Sequence, residues 1–258
     1  MQKTLEFPAL LRLIDERSTA FRAAAMSASG LDVQVPTCPE WTLLDLVQHL
    51  GKVQRRWAAI VKAGPADADP PALEGGEAPP RERDALLAWS AEGTRQLLDA
   101  LGEAGPDRRC WTWWGEESDS PETSGAVGRH QVQEATVHTY DAQITAGAAQ
   151  PLPDEAALDG VEEFLATCAS TASPWPHEAA VIDFHAAEGG SWRLSLSADG
   201  ARSSRLPDAA TATAADASAR ATASELVLVF YDRLPLDTLQ VDGDGRLMQQ
   251  LHDWDPDA

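Results

Sequence analysis

The chain has 258 residues, of which 43% are hydrophobic and 24% charged, values typical of soluble globular proteins with one large domain or two ordinary ones. Its formal net charge is −21, and this acidity argues against a nucleic-acid partner, which clustered Lys and Arg side chains would bind. No apolar run reaches the roughly 20 residues that cross a bilayer and no secretory signal precedes the first helix, so we expect a cytoplasmic protein with no membrane partner.

The N-terminal part of the chain has the pattern of a helical bundle, with apolar residues at helical spacing between polar or proline-containing links. The second helix begins at Thr42, because Thr42 and Asp45 form a capping-box pattern after the turn around Pro39. The longer links are a Pro- and Ala-rich loop over 64–80 and a tryptophan-rich connector at 110–115. The predicted helices cover residues 4–28, 42 to about 60, about 80–101, about 126–146 and 154–170.

The pattern changes after residue 174, where alternation of apolar and polar residues begins. Two such runs flank Glu188-Gly189-Gly190, which predicts a β-hairpin. The predicted strands are 180–186, 192–197, a Thr/Ala-rich segment at about 209–222 and 239–241, and the predicted helices are 223–233 and 246–254. We therefore predict the fold class α plus α+β, with a four-helix bundle over 1–174 and a small α+β domain over 175–258.

One face of the fourth predicted helix carries a candidate metal site. Glu134 and His138 lie four residues apart, so both project from this face, one turn apart. Together with His49 from the second helix they would form a His₂Glu set that holds one divalent cation and leaves a coordination position open. Such a pair also occurs as an ordinary i,i+4 interaction, and a histidine at a core edge also occurs without a metal. His130 and Asp141 extend the polar stripe, which favours a site because unpaired buried charge is costly.

Two other groups near these residues have open interpretations. Asp45 is either a partner of His49 or only the cap of its helix. The three tryptophans of the connector either cap the bundle core or form the wall of a pocket for a flat or hydrophobic substrate. These tryptophans are Trp111, Trp113 and Trp114.

The three cysteines are an odd number at wide spacing, which is typical neither of a disulfide framework nor of a zinc finger. We expect reduced thiols at Cys38, Cys110 and Cys168. Cys38 precedes the His49 helix, but none of the three has a histidine beside it in sequence. We therefore expect none of them to be the nucleophile.

A resemblance to a known family rests on three segments. Residues 35–50, VPTCPEWTLLDLVQHL, resemble the opening motif of the mycothiol-dependent maleylpyruvate isomerase family of actinobacteria. A second family motif is similar to residues 129–142 around Glu134 and His138, and a third is similar to ASELVLVFYDR, residues 223–233. Two positions depart from the pattern: Gln133 stands where a histidine is frequent, and Thr139 stands where a basic residue is frequent.

The resemblance implies a DinB-like four-helix bundle followed by a sterol-carrier-like α+β domain. It also implies a divalent metal, usually zinc, held by His49, Glu134 and His138, and mycothiol or a similar low-molecular-weight thiol as cosubstrate. Coordination to a dication ionises a thiol, and the thiolate can add to an electrophilic carbon of a small substrate. Release of the thiol after rotation gives cis–trans isomerisation, whereas a stable adduct is S-conjugation.

Two further functions stay open at this point. A non-haem iron enzyme uses the same ligand types, since two histidines and one carboxylate also suit Fe(II). A non-catalytic bundle would bind a small molecule or a partner protein. In the C-terminal segment, Arg220 and Arg233 each offer a charge for a carboxylate substrate or an ordinary surface ion pair. We assign ligand binding to Arg220 together with Trp111, Trp113 and Trp114.

Overall fold

A computed structural model describes residues 5–66, 68, 78–207 and 215–255. The chain forms two compact units. The N-terminal unit comprises the described residues of Leu5–Trp113 and Glu122–Leu152, and the C-terminal unit comprises Trp114–Pro121 and residues 153–255. In the part of the chain described, no helix combines the length and the apolar character needed to cross a bilayer.

The N-terminal unit is built on four long helices, as the apolar periodicity predicted. Helix α1 packs along α4 and α2 packs along α3, with further contacts between α1 and α3 and between α2 and α4. The predicted capping box is present, because the Asp45 N–H donates to the Thr42 hydroxyl while the Asp45 carboxylate accepts the Thr42 N–H. The predicted helical bundle is therefore confirmed. Its helices are α1 (Phe7–Ser27), α2 (Leu43–Ala63), α3 (Arg83–Ala104) and α4 (Ser124–Thr145).

The apolar core of this unit lies between the helices. Phe21 from α1, Leu50 from α2 and Leu86 from α3 are fully buried and belong to one cluster. Helix α4 is different, because 16 of its 22 residues are buried although many of them are polar. Buried polar groups need partners, so the polar residues of α4 require a structural or functional explanation.

A short β-hairpin stands where the sequence predicted only a turn. Strands β1 (Gln34–Val35) and β2 (Cys38–Thr42) pair antiparallel, with Val35 opposite Cys38. The hairpin leads directly into α2, and the Leu43 N–H donates to the Val33 carbonyl at 2.9 Å. A two-residue strand is too short to produce an alternating pattern, which is why the sequence indicated only the turn residues.

In its described residues, the C-terminal unit is a five-stranded sheet accompanied by three α-helices. The strand order is β5-β4-β3-β6-β7, in which β3 and β6 are parallel and the other pairs antiparallel. The elements are α5 (Asp154–Phe164) with a π-helical turn (Leu165–Ala169), β3 (Ala180–Ala186), β4 (Ser191–Ser197), β5 (Gly200–Arg205), β6 (Ala217–Ala221), α6 (Ala223–Phe230), β7 (Gln240–Gly243) and α7 (Arg246–Asp253).

The predicted hairpin is formed by β3 and β4, and its alternate residues, such as Phe184 and Trp192, are buried. Strand β5 was not predicted, although Asp199-Gly200 is a hairpin signal and Gly200 has the positive φ of +107° that such a turn uses. The candidate strand at 209–222 is observed in part as β6. Residues 208–214 and, from the predicted loop, 67 and 69–77 lie outside the described residues.

The two units divide the chain at a different place from the boundary predicted at 174/175. Helix α5 and the segment 114–121 group with the C-terminal sheet. The Phe164 ring of α5 stacks on Phe230 of α6, with centroids 4.9 Å apart, and the Asp119 N–H donates to the Ala166 carbonyl at 3.1 Å. Helix α5 thus packs within the C-terminal unit, and the boundary at 174/175, which rests on the start of the strand pattern, stays a prediction.

Candidate metal centre

His49 lies on α2 at the edge of its apolar face. The neighbouring Leu46 and Leu50 are fully buried, whereas 31% of the His49 side chain is exposed. The Asp45 carboxylate accepts the Thr42 N–H at 3.0 Å, so Asp45 serves as the helix cap, one of the two roles considered for it. Helix α2 thus presents an imidazole that is partly accessible to small molecules.

Glu134 and His138 lie one turn apart on α4, as their spacing predicts. The His138 side chain is 8% exposed and that of Glu134 is 23% exposed. The contact between α2 and α4 brings His49 beside this pair, and the rings of His49 and His138 meet edge to face with centroids 5.0 Å apart. Two residues on one helix and one on its neighbour therefore converge on a single point.

The three side chains offer ligand atoms at metal-binding separations. Glu134 Oε2 is 3.4 Å from His138 Nε2 and 3.7 Å from His49 Nε2, and all three atoms lie within 4.8 Å of one another. Ligand atoms around a tetrahedral zinc ion are about 3.3 Å apart, since each lies about 2.0–2.2 Å from the metal. A small inward movement of His49 would complete such a geometry.

The chemistry of the donor set fits a dication. Glu134 Oε2 is buried and accepts no hydrogen bond in the described part of the chain, although it lies between two imidazole nitrogens. A buried carboxylate oxygen without a donor is costly unless a cation compensates it. One carboxylate and two imidazoles are ligands typical of zinc and of Fe(II).

The protonation of the site without a metal follows from its crowding. Burial alone would lower the pKa of His138, but Asp141 and Glu134 outweigh it and raise the pKa to about 9. Burial alone would raise the pKa of Glu134, but the imidazoles of His138 and His49 outweigh it and hold the pKa well below its ordinary value. In the metal-free protein, His138 thus carries a second proton on Nε2, which faces Glu134 where a cation would bind.

Asp141 holds His138 from behind. The His138 Nδ1–H donates to Asp141 Oδ2 at 2.9 Å, which leaves Nε2 facing Glu134. The β1–β2 hairpin secures this carboxylate, because the Thr37 hydroxyl donates to Oδ1 at 2.6 Å and the Cys38 thiol lies 3.8 Å from Oδ2. A carboxylate behind a ligating histidine fixes its tautomer and its orientation.

Trp41, an aromatic residue of strand β2, lies against both His49 and His138. Its ring centroid is 4.6 Å from that of His49 and 6.1 Å from that of His138. The sequence predicts Trp41 and Thr37 only as parts of a turn. The signal for their position is that Thr42, where the His49 helix begins, follows Pro36 by only six residues, so the turn must lie next to the start of this helix.

A second group of aromatic residues adjoins Glu134 on the side away from the hairpin. His130 Nε2 is 3.9 Å from Glu134 Oε1, and the His130 ring lies 5.7 Å from that of Trp113 and 6.3 Å from that of Trp57. Trp111 stacks on Trp57 with centroids 6.4 Å apart. Trp113 therefore contacts His130 directly and Trp111 is linked to it through Trp57, and 49% of Trp113 is exposed.

The remaining predicted ligand-binding residues lie in the C-terminal unit. Trp114 is buried there, and its indole N–H donates to the Pro121 carbonyl at 3.4 Å. Arg220 is exposed on β6, opposite His185 of β3 and Gln240 of β7. Trp111 and Trp113 thus lie in the N-terminal unit and Trp114 and Arg220 in the C-terminal unit, and ligand binding by all four stays a prediction.

One of the two departures from the family motifs has a local explanation. The Thr139 hydroxyl lies 2.6 Å from the Ala135 carbonyl and 2.9 Å from the Arg17 carbonyl of α1, so it faces the neighbouring helix. Gln133 is fully buried on α4. Position 139 therefore presents its side chain to α1 rather than to the cluster of Glu134 and His138.

Comparison with known protein families matches both parts of the chain. Residues 11–143 match the Mycothiol maleylpyruvate isomerase N-terminal domain, and residues 155–250 match the MDMPI C-terminal domain. No curated protein matches the chain. Among solved structures, a double mutant of the sec-alkyl sulfatase PisA1 is similar over 52% of this chain and 24% of that one, at 15% identity and a TM-score of 0.30.

The chain spans about a quarter of that sulfatase chain, and so low a TM-score supports no inference about fold or activity. The two family matches, in contrast, do support an inference about this chain. They cover residues 11–143 and 155–250, and the first includes His49 and Glu134 together with His138. From its two domains, this chain belongs to the mycothiol maleylpyruvate isomerase family.

Proposed function

We propose that the protein is a thiol-dependent metalloenzyme, an S-transferase or cis–trans isomerase that acts on a small electrophilic substrate. The observation that carries the proposal is the convergence of His49, Glu134 and His138 within 4.8 Å, with the buried Glu134 Oε2 facing both imidazole nitrogens. Membership of a family named for mycothiol supports a low-molecular-weight thiol as the cosubstrate.

In this proposal, His49, Glu134 and His138 hold the metal, for which zinc is the first candidate. A dication at this position supplies a Lewis-acidic coordination site that lowers the pKa of a thiol. Three protein ligands leave room for one further group, and the partial exposure of His49 provides its access. Asp141 keeps the Nδ1 proton of His138, so that Nε2 is available as a ligand.

The neighbouring aromatic residues would position the reactants. Trp41 lies against both histidines and excludes water from that side. Trp113 offers an exposed indole face beside His130, and Trp111 continues the surface towards α2. Flat or unsaturated substrates bind such surfaces well, since aromatic faces bury a large apolar area. Trp114 and Arg220 belong to the C-terminal unit. Ligand binding by these two residues is proposed from the sequence and not from this cluster of aromatic residues.

The decisive experiment combines metal analysis with thiol assays on one preparation. The protein is analysed for zinc and iron, stripped with a chelator, and reloaded with each metal. Mycothiol consumption and isomerisation of maleylpyruvate, the substrate in the family's name, are then followed with and without metal. We expect about one zinc per chain and activity that returns only with the metal.

Histidine variants provide matched controls. His138→Ala should lose the metal and the activity while it keeps most of the helix content. His177→Ala, at an exposed histidine of the C-terminal unit, should keep both. Equal thiol-dependent turnover with and without metal would overturn the proposal. Iron with oxygen-dependent turnover would establish the non-haem iron alternative, and a stable protein that binds no metal would favour a non-catalytic bundle.

A further inference from the structure

A cavity of about 190 Å³ lies inside the C-terminal unit, between the π-helical turn, α6 and α7. Three phenylalanines form one of its walls. Phe164 stacks on Phe230 with centroids 4.9 Å apart, and Phe184 meets Phe230 edge to face at 5.1 Å. Other lining residues, such as Leu239 and Met248, are also apolar. The cavity shares no residue with the candidate metal centre.

Two backbone irregularities occur at this cavity. The π-helical turn Leu165–Ala169 interrupts the end of α5, and three of its residues line the cavity. Asp232, also a lining residue, has a φ of +59°, which is the only positive φ of a non-glycine residue in the described chain. The αL conformation of Asp232 is a common way for a helix to end, and the Asp232 and Arg233 N–H groups donate to the Val229 and Leu228 carbonyls of α6. π-helical turns, in contrast, occur frequently at functional sites, so the turn in the cavity wall favours a binding role.

The charges at the cavity restrict its ligand. Asp232 Oδ1 lies 3.3 Å from His252 Nδ1, and both residues line the cavity together with the Cys168 thiol. Among the described lining residues there is no Lys or Arg to neutralise an anion. A ligand with a carboxylate or phosphate would therefore find no Lys or Arg in the lining and would bring its charge near the Asp232 carboxylate, whose side chain is 69% exposed.

The volume of the cavity sets the size of its ligand. A cavity of about 150 Å³ lined by aliphatic and aromatic residues accepts benzene. The present cavity is slightly larger, so it has room for one ring with a small substituent but not for a long acyl chain. The edge-to-face and stacked arrangement of the phenylalanines favours a further aromatic ring over an aliphatic one.

We infer that this cavity is a binding site for an uncharged single-ring aromatic molecule, whose ring lies against Phe164, Phe184 and Phe230. A hydroxyl or amine substituent would face Asp232 and His252, which offer an acceptor and a ring nitrogen. The inference is independent of the proposed chemistry at the metal centre. It predicts that the C-terminal unit senses or holds a small aromatic compound.

The Cys168 thiol provides a direct test, because a ligand in the cavity covers it. The other cysteines do not interfere in a Cys38→Ser protein, since burial raises the pKa of the Cys110 thiol to about 11 and the nearby Glu122 carboxylate adds to the shift. The rate of Cys168 modification by a thiol-reactive disulfide reagent is measured at pH 7 with phenol, benzoate or dodecanol. Phenol at ten times its Kd should slow the reaction about tenfold, because only the unoccupied site reacts.

Variants at two alanines provide the control. Ala169→Leu fills the cavity and should abolish protection by phenol, while Ala198→Leu, on the exposed turn before β5, should leave it intact. Calorimetric titration of phenol into the unlabelled protein provides a second readout that does not depend on thiol reactivity. Absence of saturable phenol binding, protection that survives Ala169→Leu, or equal protection by benzoate or dodecanol would each overturn the inference.

Discussion

The Nδ1–H of His138 donates to Asp141 at 2.9 Å, and this single bond decides which nitrogen of His138 faces Glu134. Asp141 is fully buried, and its second oxygen accepts the Thr37 hydroxyl at 2.6 Å. The hairpin that precedes α2 therefore supports a side chain of α4. The orientation of the candidate metal ligand depends on the β1–β2 hairpin as well as on its own helix.

We predict that Asp141→Asn weakens metal binding about 10–100-fold, as changes in partners of ligating histidines generally do. The neutral amide cannot stabilise the imidazole as the carboxylate does, and it can rotate to present a donor. Affinity is measured by competition with a chromophoric chelator. Asp45→Asn makes the same change at the exposed cap of α2 and should leave the affinity unaltered. Equal affinities for the Asp141 variant and the unchanged protein would contradict the role of Asp141.

We predict that metal binding releases a proton from His138 at pH 7. The pKa of His138 in the metal-free protein is about 9, because Asp141 and Glu134 together outweigh its burial. Below this pH the metal must displace the proton, so affinity should rise about tenfold per pH unit and level off near pH 9. Calorimetry in buffers of different ionisation enthalpy counts the released protons, and a count of zero at pH 7 would refute the prediction.

The raised pKa of His138 also makes the stability of the metal-free protein depend on pH. Stability should fall as the pH rises, whereas metal affinity should rise. The folded-state pKa of His138, about 9, lies above its unfolded value of about 6.5. Its contribution to stability is therefore complete below pH 6.5 and is lost as the pH rises through 9. Urea denaturation of chelator-treated protein should show a midpoint that falls between these pH values. Asp141→Asn should reduce this fall, since it removes one of the two carboxylates.

We predict that Cys38→Ser retains turnover within a few-fold, with unchanged metal content. The Cys38 thiol lies 3.8 Å from Asp141 Oδ2, and a serine hydroxyl offers the same donor there. Cys168→Ser is the control in the other unit. Activity is assayed with the thiol cosubstrate present. A loss of several orders of magnitude at full metal occupancy would identify Cys38 as the nucleophile and would replace the external thiol in the mechanism.

Two glycines provide a matched test of packing between α2 and α3. A Cβ on Gly51 of α2 would overlap the Trp89 ring, over which the Arg55 guanidinium lies at 3.8 Å. Gly51→Ala should therefore destabilise the fold by about 1–3 kcal/mol through overpacking. Gly102→Ala in α3 meets nothing within 4 Å and should stabilise it by about 0.5–1 kcal/mol. Urea denaturation measures both changes, and equal effects would contradict the close contact at Gly51.

Local patterns in the sequence determined the helices, the β3–β4 hairpin and the spacing of Glu134 and His138. These features depend on neighbours within about one helical turn or one strand pair, so their periodicity is visible in the chain itself. The capping box at Thr42 and Asp45 is of the same kind. Spacing makes His49 one candidate third ligand or a core-edge histidine, and the resemblance in the motifs favours the ligand.

Tertiary structure alone decided which groups surround these residues. Trp41 and Thr37 reach the site because the hairpin folds back beside α4, and the π-helical turn and Asp232 meet at a cavity formed by separate elements. Helix α5 groups with the sheet that follows it in the chain. Apolar spacing specifies which face of an element is buried, but the partner that covers this face is selected by packing between segments far apart in the chain.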